Sequence, residues 1–129
     1  MRGTHARVLI AVALGATMAS TAACLPGIGS ADSKAACDNM QKELAGISSK
    51  AQGMMSDPSA LAQVYTDAAN NIRSEGTKAG GDVEAAGNQV ASDLDGLANT
   101  LRQAASGNPQ MPDSESLVSS GVRLKAACT

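Results

Sequence analysis

The sequence predicts an all-α fold: a small antiparallel up-down four-helix bundle braced by one disulfide. Apolar residues recur at intervals of three and four along four separate segments, which is the spacing of one helix face. Breaks containing Pro or Gly separate these segments, and none of them alternates as a strand does. The alternative is a three-helix bundle in which the second and third segments merge through residues 76–81.

Residues 1–23 combine the three parts of a secretory signal peptide. Arg2 and Arg7 give a positive start, an apolar stretch covers 8–19, and small residues follow at 19–23, before Cys24. The apolar stretch is shorter than the roughly 20 residues that a membrane-spanning helix needs. It therefore predicts a leader that is removed.

The residues Thr21-Ala22-Ala23-Cys24 resemble the lipobox of bacterial lipoproteins, whose usual form is Leu-Ala-Gly/Ala-Cys. Positions 22–24 match this form, and Thr21 departs from the preferred Leu. The resemblance implies diacylglycerol on the Cys24 thiol, cleavage before Cys24 and acylation of the new amine, which together give stable membrane attachment. The alternative is ordinary cleavage after Ala23 and release of a secreted protein.

A broader likeness, to the small Ala- and Gly-rich lipoproteins of high-GC Gram-positive (actinobacterial-type) bacteria, covers the leader through Cys24 and otherwise only composition. It implies no particular activity. Residues 24–33 are rich in Pro, Gly and Ser and predict a flexible tether. Residues 34–129 then form the helical domain.

The first predicted helix covers roughly 33–54, and its apolar face consists of Cys37, Met40, Leu44, Ile47, Ala51 and Met54. Asp57 and Pro58 predict an N-cap and first position of a second helix, since a side-chain acceptor precedes a residue without a backbone N–H. That helix is expected to end near Glu75-Gly76, after the apolar residues Leu61, Val64, Tyr65, Ala68 and Ile72.

The break at Gly80-Gly81-Asp82 precedes the longest amphipathic stripe, which consists of Val83, Ala86, Val90, Leu94, Leu97, Leu101 and Ala104. A second break follows at 107–112, where Asp113 or Ser114 can cap a last helix. The apolar positions of that helix are Leu117, Val118, Gly121, Leu124 and Cys128. Glycines inside the predicted helices, at 87, 96 and 121, predict close backbone approach; a ligand groove is the alternative.

The chain has 3 cysteines. Assigning Cys24 to lipid leaves Cys37 and Cys128 as a disulfide pair in an exported protein. In an up-down bundle of four helices these two residues lie at the same end. The bridge would contribute roughly 4 to 5 kcal/mol in the chain-entropy model. A redox or metal site is the weaker alternative, because neither cysteine belongs to a CxxC motif and the only histidine, His5, lies in the leader.

Composition argues against several function classes. Without the leader's two arginines the chain keeps 8 of its 10 basic residues against 12 acidic ones, so no nucleic-acid partner is expected. No His remains as a catalytic base, so no enzyme activity and no cofactor are expected. Met40, Met54 and Met55 are interpreted as core residues and not as thioether metal ligands, so no metal is expected. Asp93 and Asp95 are interpreted as solvated surface charges.

These observations predict a non-enzymatic binding module of the cell envelope. We expect it on the outer face of the cytoplasmic membrane, with membrane lipid held through acylated Cys24 and an envelope protein as partner through a helix face. A carrier of a small apolar ligand is the second hypothesis, since Ala, Gly and Met residues could leave a cavity between helices.

Overall fold

The computed structural model describes residues 31–129, which form four α-helices. They are α1 (Ala31–Gln52), α2 (Pro58–Ala79), α3 (Gly81–Ala105) and α4 (Ser114–Ala127), and this part of the chain contains no strand. The all-α, four-helix prediction is confirmed. The predicted signal peptide, lipidation site Cys24 and tether up to residue 30 lie outside the described residues.

The first helix begins earlier than its apolar pattern predicted. Residues 31–33, predicted as the end of the tether, belong to α1, and Ser33 is only 3% exposed. A buried serine adds nothing to an apolar stripe, and so the pattern did not mark this turn as helical. The helix ends at Gln52, so that Met54 lies in the following turn and not on the core face.

Asp57 caps α2 as predicted. Its Oδ1 accepts hydrogen bonds from the backbone N–H groups of Ser59 and Ala60, both at 3.0 Å, and Pro58 occupies the first helical position. Because Pro has no N–H and the carboxylate accepts two more of the unpaired donors, the first turn is well satisfied.

A glycine turn separates α2 from α3. The second helix continues beyond the predicted Glu75-Gly76 end to Ala79, and Gly80 and Gly81 then have φ values of 71° and 53°. These angles lie in the left-handed region that glycine enters without a steric penalty. Two helices therefore replace the merged helix of the three-helix alternative.

The helices run antiparallel in chain order. Arg73 of α2 pairs with Asp95 of α3, whereas Thr66, earlier in α2, accepts a hydrogen bond from Arg102, later in α3. The α2–α3 pair has the most extensive contact; α1 packs mainly on α2, and α4 packs on α3. Within residues 31–129, α1 and α4 do not lie side by side, which distinguishes this arrangement from a square bundle.

The disulfide joins these two outer helices at one end. Cys37 near the start of α1 is bonded to Cys128 just after α4, with their Cα atoms 5.8 Å apart. The predicted pairing is confirmed. This end, which we call the disulfide end, also contains the Gly80-Gly81 turn; the α1–α2 and α3–α4 loops lie at the opposite end, which we call the loop end.

The core is aliphatic and narrow. Its largest fully buried side chains are Met40, Ile72, Leu94, Leu124, Val83 and Val90, and alanines fill much of the remainder. Gly87 permits this close packing, because a Cβ at that position would lie 3.3 Å from Met40 Sδ and 3.7 Å from Ile72 Cγ2. The prediction of close approach is confirmed at Gly87. It is wrong at Gly96 and Gly121, where a Cβ would meet nothing within 4 Å.

Candidate binding groove between α3 and α4

The methionines proposed as core residues separate into two groups. Met40 is fully buried, which confirms the core interpretation for that residue. The interpretation is wrong for Met54 and Met55, because Met54 is in an exposed turn at the loop end and Met55 beside it is 76% exposed. Met54 and Met55 therefore do not form one cluster of thioethers with the buried Met40.

The two aspartates interpreted as solvated surface charges lie beside neighbouring helices, although among the described residues only Asp95 forms a hydrogen bond across helices. Asp95 Oδ2 accepts a hydrogen bond from Arg73 Nη2 at 2.6 Å, which links α3 to α2. Asp93 lies on a different face of α3 and lines a groove against α4. Both residues are therefore partly exposed charges, but Asp95 is ion-paired and Asp93 has one buried oxygen.

This groove is a polar depression of about 350 Å³. It combines three carboxylates, three serine hydroxyls, one amide and one guanidinium, on the side chains of Gln89, Asp93, Asp113, Glu115, Ser116, Ser119, Ser120 and Arg123. Small hydroxyl side chains on α4 leave this space open, because longer side chains at the same positions would extend toward α3.

A second depression of about 230 Å³ continues the groove toward the loop end, sharing Asp93, Asp113 and Ser116 with the first. Gly96 and Thr100 line it from α3. From Gln89 to Thr100 the helix rises roughly 16 Å, which sets the length of the combined depression. The open space above Gly96 agrees with the groove alternative for that glycine. We refer to the two depressions together as the α3–α4 groove.

Asp93 has an acceptor that the protein leaves unused. Its Oδ1 accepts from Gln89 Nε2 at 3.2 Å, while Oδ2 is buried and has no hydrogen-bond partner among the described residues. An unsatisfied buried acceptor costs about 1 to 3 kcal/mol. A group that donates an N–H or O–H to Oδ2 would remove this cost, once the Asp93 side chain turns toward the groove, because Oδ2 itself has almost no exposed surface.

Asp113 holds negative charge at the loop end of the groove. It caps α4 by accepting from Ser116 N at 3.1 Å and from Ser116 Oγ at 2.6 Å. These hydrogen bonds lower the pKa of Asp113 below its usual range. With Asp93 and Glu115 nearby and Arg123 as the single cation among the lining residues, the groove carries an excess of negative charge.

The depression between α1 and α2 differs in that its main carboxylate is already paired. Glu75 accepts from Lys78 Nζ at 2.7 Å and from Asn39 Nδ2 at 3.2 Å, and these bonds lower the pKa of Glu75. A ligand there would compete with existing hydrogen bonds. The α3–α4 groove, with its unused Asp93 oxygen, is therefore the stronger candidate site.

The sequence contains a pattern of polar residues on α4 that indicates this groove, but a search for apolar periodicity does not detect it. Ser116, Ser119, Ser120 and Arg123 recur at the spacing of one helix face, and Ser120 is buried. Val118 and Val122, by contrast, face outward and are 67% and 64% exposed. A search for periodic polar residues on α4 would have located the wall of the groove.

None of the four described helices is long and apolar enough to cross a membrane. Across residues 31–129 no group of three or more His, Cys, Asp or Glu side chains is arranged to hold a metal ion. No protein-family model matches the chain, and no curated protein or solved structure is significantly similar to it.

Proposed function

We propose that this protein is a membrane-tethered, non-enzymatic binding module of the cell envelope, held by a lipid on Cys24, that contacts its partner through the α3–α4 groove. The leader and the lipobox-like residues 21–24 support the tether. The unpartnered Oδ2 of Asp93 supports the choice of groove and is the observation that carries the binding proposal.

The tether would be short. Seven residue steps separate Cys24 from Ala31, where α1 begins, and even a fully extended chain of that length spans at most about 25 Å. Since α1 starts at the disulfide end, that end would lie nearest the membrane and the loop end farthest from it. The groove would then run along the side of the bundle, open to an adjacent envelope protein.

The lining favours a partner with N–H or O–H donors and a positive charge. Asp93 Oδ2 needs a donor, and the carboxylates of Asp113 and Glu115 add negative potential. A lysine or arginine side chain of an envelope protein meets both requirements. The hydroxyls of Ser116 and Ser120 already donate to Asp113 and to the Leu117 carbonyl, so they can accept from backbone N–H groups of the same partner. The exposed Ser119 hydroxyl can both donate and accept.

A carrier of a small apolar ligand is supported less well. The depressions between α3 and α4 and between α1 and α2 are lined largely by polar side chains, whereas apolar ligands are usually held in concave apolar pockets. Native mass spectrometry of protein purified from its host tests this alternative. A stoichiometric apolar molecule that remains bound would favour the carrier.

The tether is tested with Cys24→Ala. We expect the wild-type protein in the membrane fraction with the added mass of acyl chains, and the variant in the culture fluid without it. Leu25→Ala is the matched control, because it leaves Cys24 intact and should partition like wild type. Equal membrane partitioning of Cys24→Ala and wild type would contradict the lipid anchor.

The groove is tested by photo-crosslinking in intact cells, with a photoreactive residue at Ser119 in the groove or at Ser74 in the α1–α2 depression. A defined adduct is expected from position 119 alone, and Asp93→Asn should reduce it by about tenfold, because a charge-assisted hydrogen bond is lost. Asp67→Asn, on the exposed surface of α2, is the matched control. Adducts that are equal at both positions, or indifferent to Asp93→Asn, would contradict the groove as the binding face.

A further inference from the structure

We propose that the Cys37–Cys128 disulfide is a redox-sensitive latch for α4: a dithiol reductant opens it, and α4 then leaves the bundle while α1–α3 stay folded. This inference concerns a conformational device and stands independently of the tether. It follows from the way in which the four helices share their contacts.

The last helix depends on the disulfide more than any other. It has 14 residues, and α3 is the only described helix against which it packs along its length. Of its side chains only Ser120 and Leu124 are fully buried, and Leu117 and Ala127 pack partly buried against the core. An isolated helix shorter than roughly 12 to 15 residues is marginal in water, so α4 needs either this small contact or a covalent link to stay ordered.

The other three helices form a core that is nearly complete without α4. Of the largest fully buried side chains, Leu124 alone comes from α4. Met40, Ile72, Val90 and Leu94 belong to α1, α2 and α3 and form one cluster there. The extensive α2–α3 contact, the Arg73–Asp95 ion pair included, does not involve α4.

The loop before α4 suits a hinge. Residues 106–113 are all exposed, and Gly107 has a φ of 88°, in the region open to glycine. The backbone bonds of Ser106, Gly107 and Asn108 close the end of α3 itself, so the segment from residue 109 onward can reorient without breaking α3.

The reduction balances as an ordinary thiol–disulfide exchange. A thiolate of the dithiol attacks the sulfur of Cys128, which is half-buried whereas Cys37 is buried, and the Cys37 sulfur leaves as a thiolate that takes up a proton. The second thiol of the reductant then attacks the mixed disulfide, releasing the Cys128 thiol and an oxidised reductant. Two electrons and two protons pass from the dithiol to the protein.

Release of α4 would dismantle the α3–α4 groove, because Ser116, Ser119, Ser120 and Arg123 would move away from Asp93. This consequence for binding rests on the proposed function. The latch itself does not, because it can be measured without any partner. Loss of the latch proposal would leave the groove proposal standing, and the reverse also holds.

Amide hydrogen exchange of the protein as purified from its host, followed by mass spectrometry, tests the latch. The oxidised protein is compared with protein treated with dithiothreitol, and a mass increase of two hydrogens verifies reduction. After reduction we expect α4 amides to exchange at nearly the rate of an unstructured chain. The α2 and α3 amides should also lose protection, because the bridge no longer restricts the unfolded chain, but they should still exchange at least about 100-fold more slowly than the α4 amides. The Cys37→Ser/Cys128→Ser variant should reproduce the reduced pattern without any reductant.

Three results would overturn the proposal. Protection of α4 that survives reduction would mean that packing alone holds the helix. Exchange at the unstructured-chain rate in all four helices, in the reduced protein or in the double-serine variant, would mean that the disulfide braces the whole fold. A disulfide that dithiothreitol cannot reduce without denaturant would mean that the latch is not redox-sensitive under native conditions.

Discussion

Two glycine-to-alanine substitutions in α3 should affect stability in opposite directions. Gly87 and Gly96 both lie inside this helix, so replacing either with Ala removes the same helix penalty of about 1 kcal/mol. Their surroundings differ. A Cβ at position 96 meets nothing within 4 Å, whereas a Cβ at position 87 lies 3.3 Å from the sulfur of Met40.

The expected magnitudes follow from these contacts. Gly96→Ala should raise the free energy of unfolding by about 0.5 to 1 kcal/mol, the gain that a strain-free Gly→Ala change gives. At position 87 the new methyl must displace the fully buried Met40 or shift the helix, which costs about 1 to 3 kcal/mol. Gly87→Ala should therefore lower the free energy of unfolding by up to about 2 kcal/mol.

Urea denaturation of the oxidised protein, followed by circular dichroism at 222 nm, measures both changes; the chain contains no Trp for a fluorescence assay. Equal m-values would show that the midpoints can be compared directly. Gly121→Ala, in α4, is a further control that should behave like Gly96→Ala, since its Cβ would also meet nothing. If Gly87→Ala stabilises the protein as much as Gly96→Ala does, the reasoning about the Met40 contact is wrong.

Three further predictions concern polar contacts. Asp57→Ala should cost about 1 kcal/mol of unfolding free energy in urea denaturation, because the cap of α2 is lost, while Asp57→Asn should cost much less. A double-mutant cycle with Arg73→Met and Asp95→Asn should give a coupling free energy below about 1 kcal/mol that falls as salt is added, since both side chains are partly exposed. A larger coupling that does not depend on salt would contradict this. Because its pKa is lowered in the folded state, the ionised Asp113 carboxylate should stabilise α4 at any pH above its unfolded-state pKa, and this stabilisation should be lost as the pH falls through the lower folded-state pKa. Hydrogen exchange of the α4 amides, measured as a function of pH, should detect the loss. Asp113→Asn should remove that pH dependence while keeping the cap.

The number and order of the helices were predictable because each carries its own apolar stripe and its own stop signals. Asp57-Pro58 and Gly80-Gly81 mark their boundaries through chemistry that is local to the chain. The α1 start was missed for the converse reason, since Ser33 is buried by tertiary packing and adds no apolar signal.

The groove could not be predicted from the same pattern. Asp93 and Ser120 face a neighbouring helix although both are polar, and an apolar periodicity assigns such residues to the solvent side. The different roles of Gly87 and Gly96 were equally inaccessible, because both are single glycines inside one helix. What separates them is the presence or absence of a facing side chain, which only the packing of the helices determines.

The cysteine count predicted the bridge, and the up-down topology predicted that its two ends would meet. Neither observation predicted that α1 and α4 would lack contact along their lengths, away from the disulfide. That outcome depends on how α2 and α3 pack, since their contact is the most extensive in the described part of the chain.

Because Cys37 and Cys128 lie 5.8 Å apart between Cα atoms, the first and last helices of the domain have their chain ends close together. A short Gly/Ser linker from Thr129 to Ala31 could therefore join the ends, and new termini could be opened in the exposed turn at 53–56, giving a circular permutant with the same helix pairs. An epitope inserted in that turn would lie at the loop end, whereas an epitope fused after Thr129 would lie at the disulfide end, where α1 begins. Comparing how well an antibody reaches each epitope would therefore show which end of the domain faces a surface to which its N-terminus is attached.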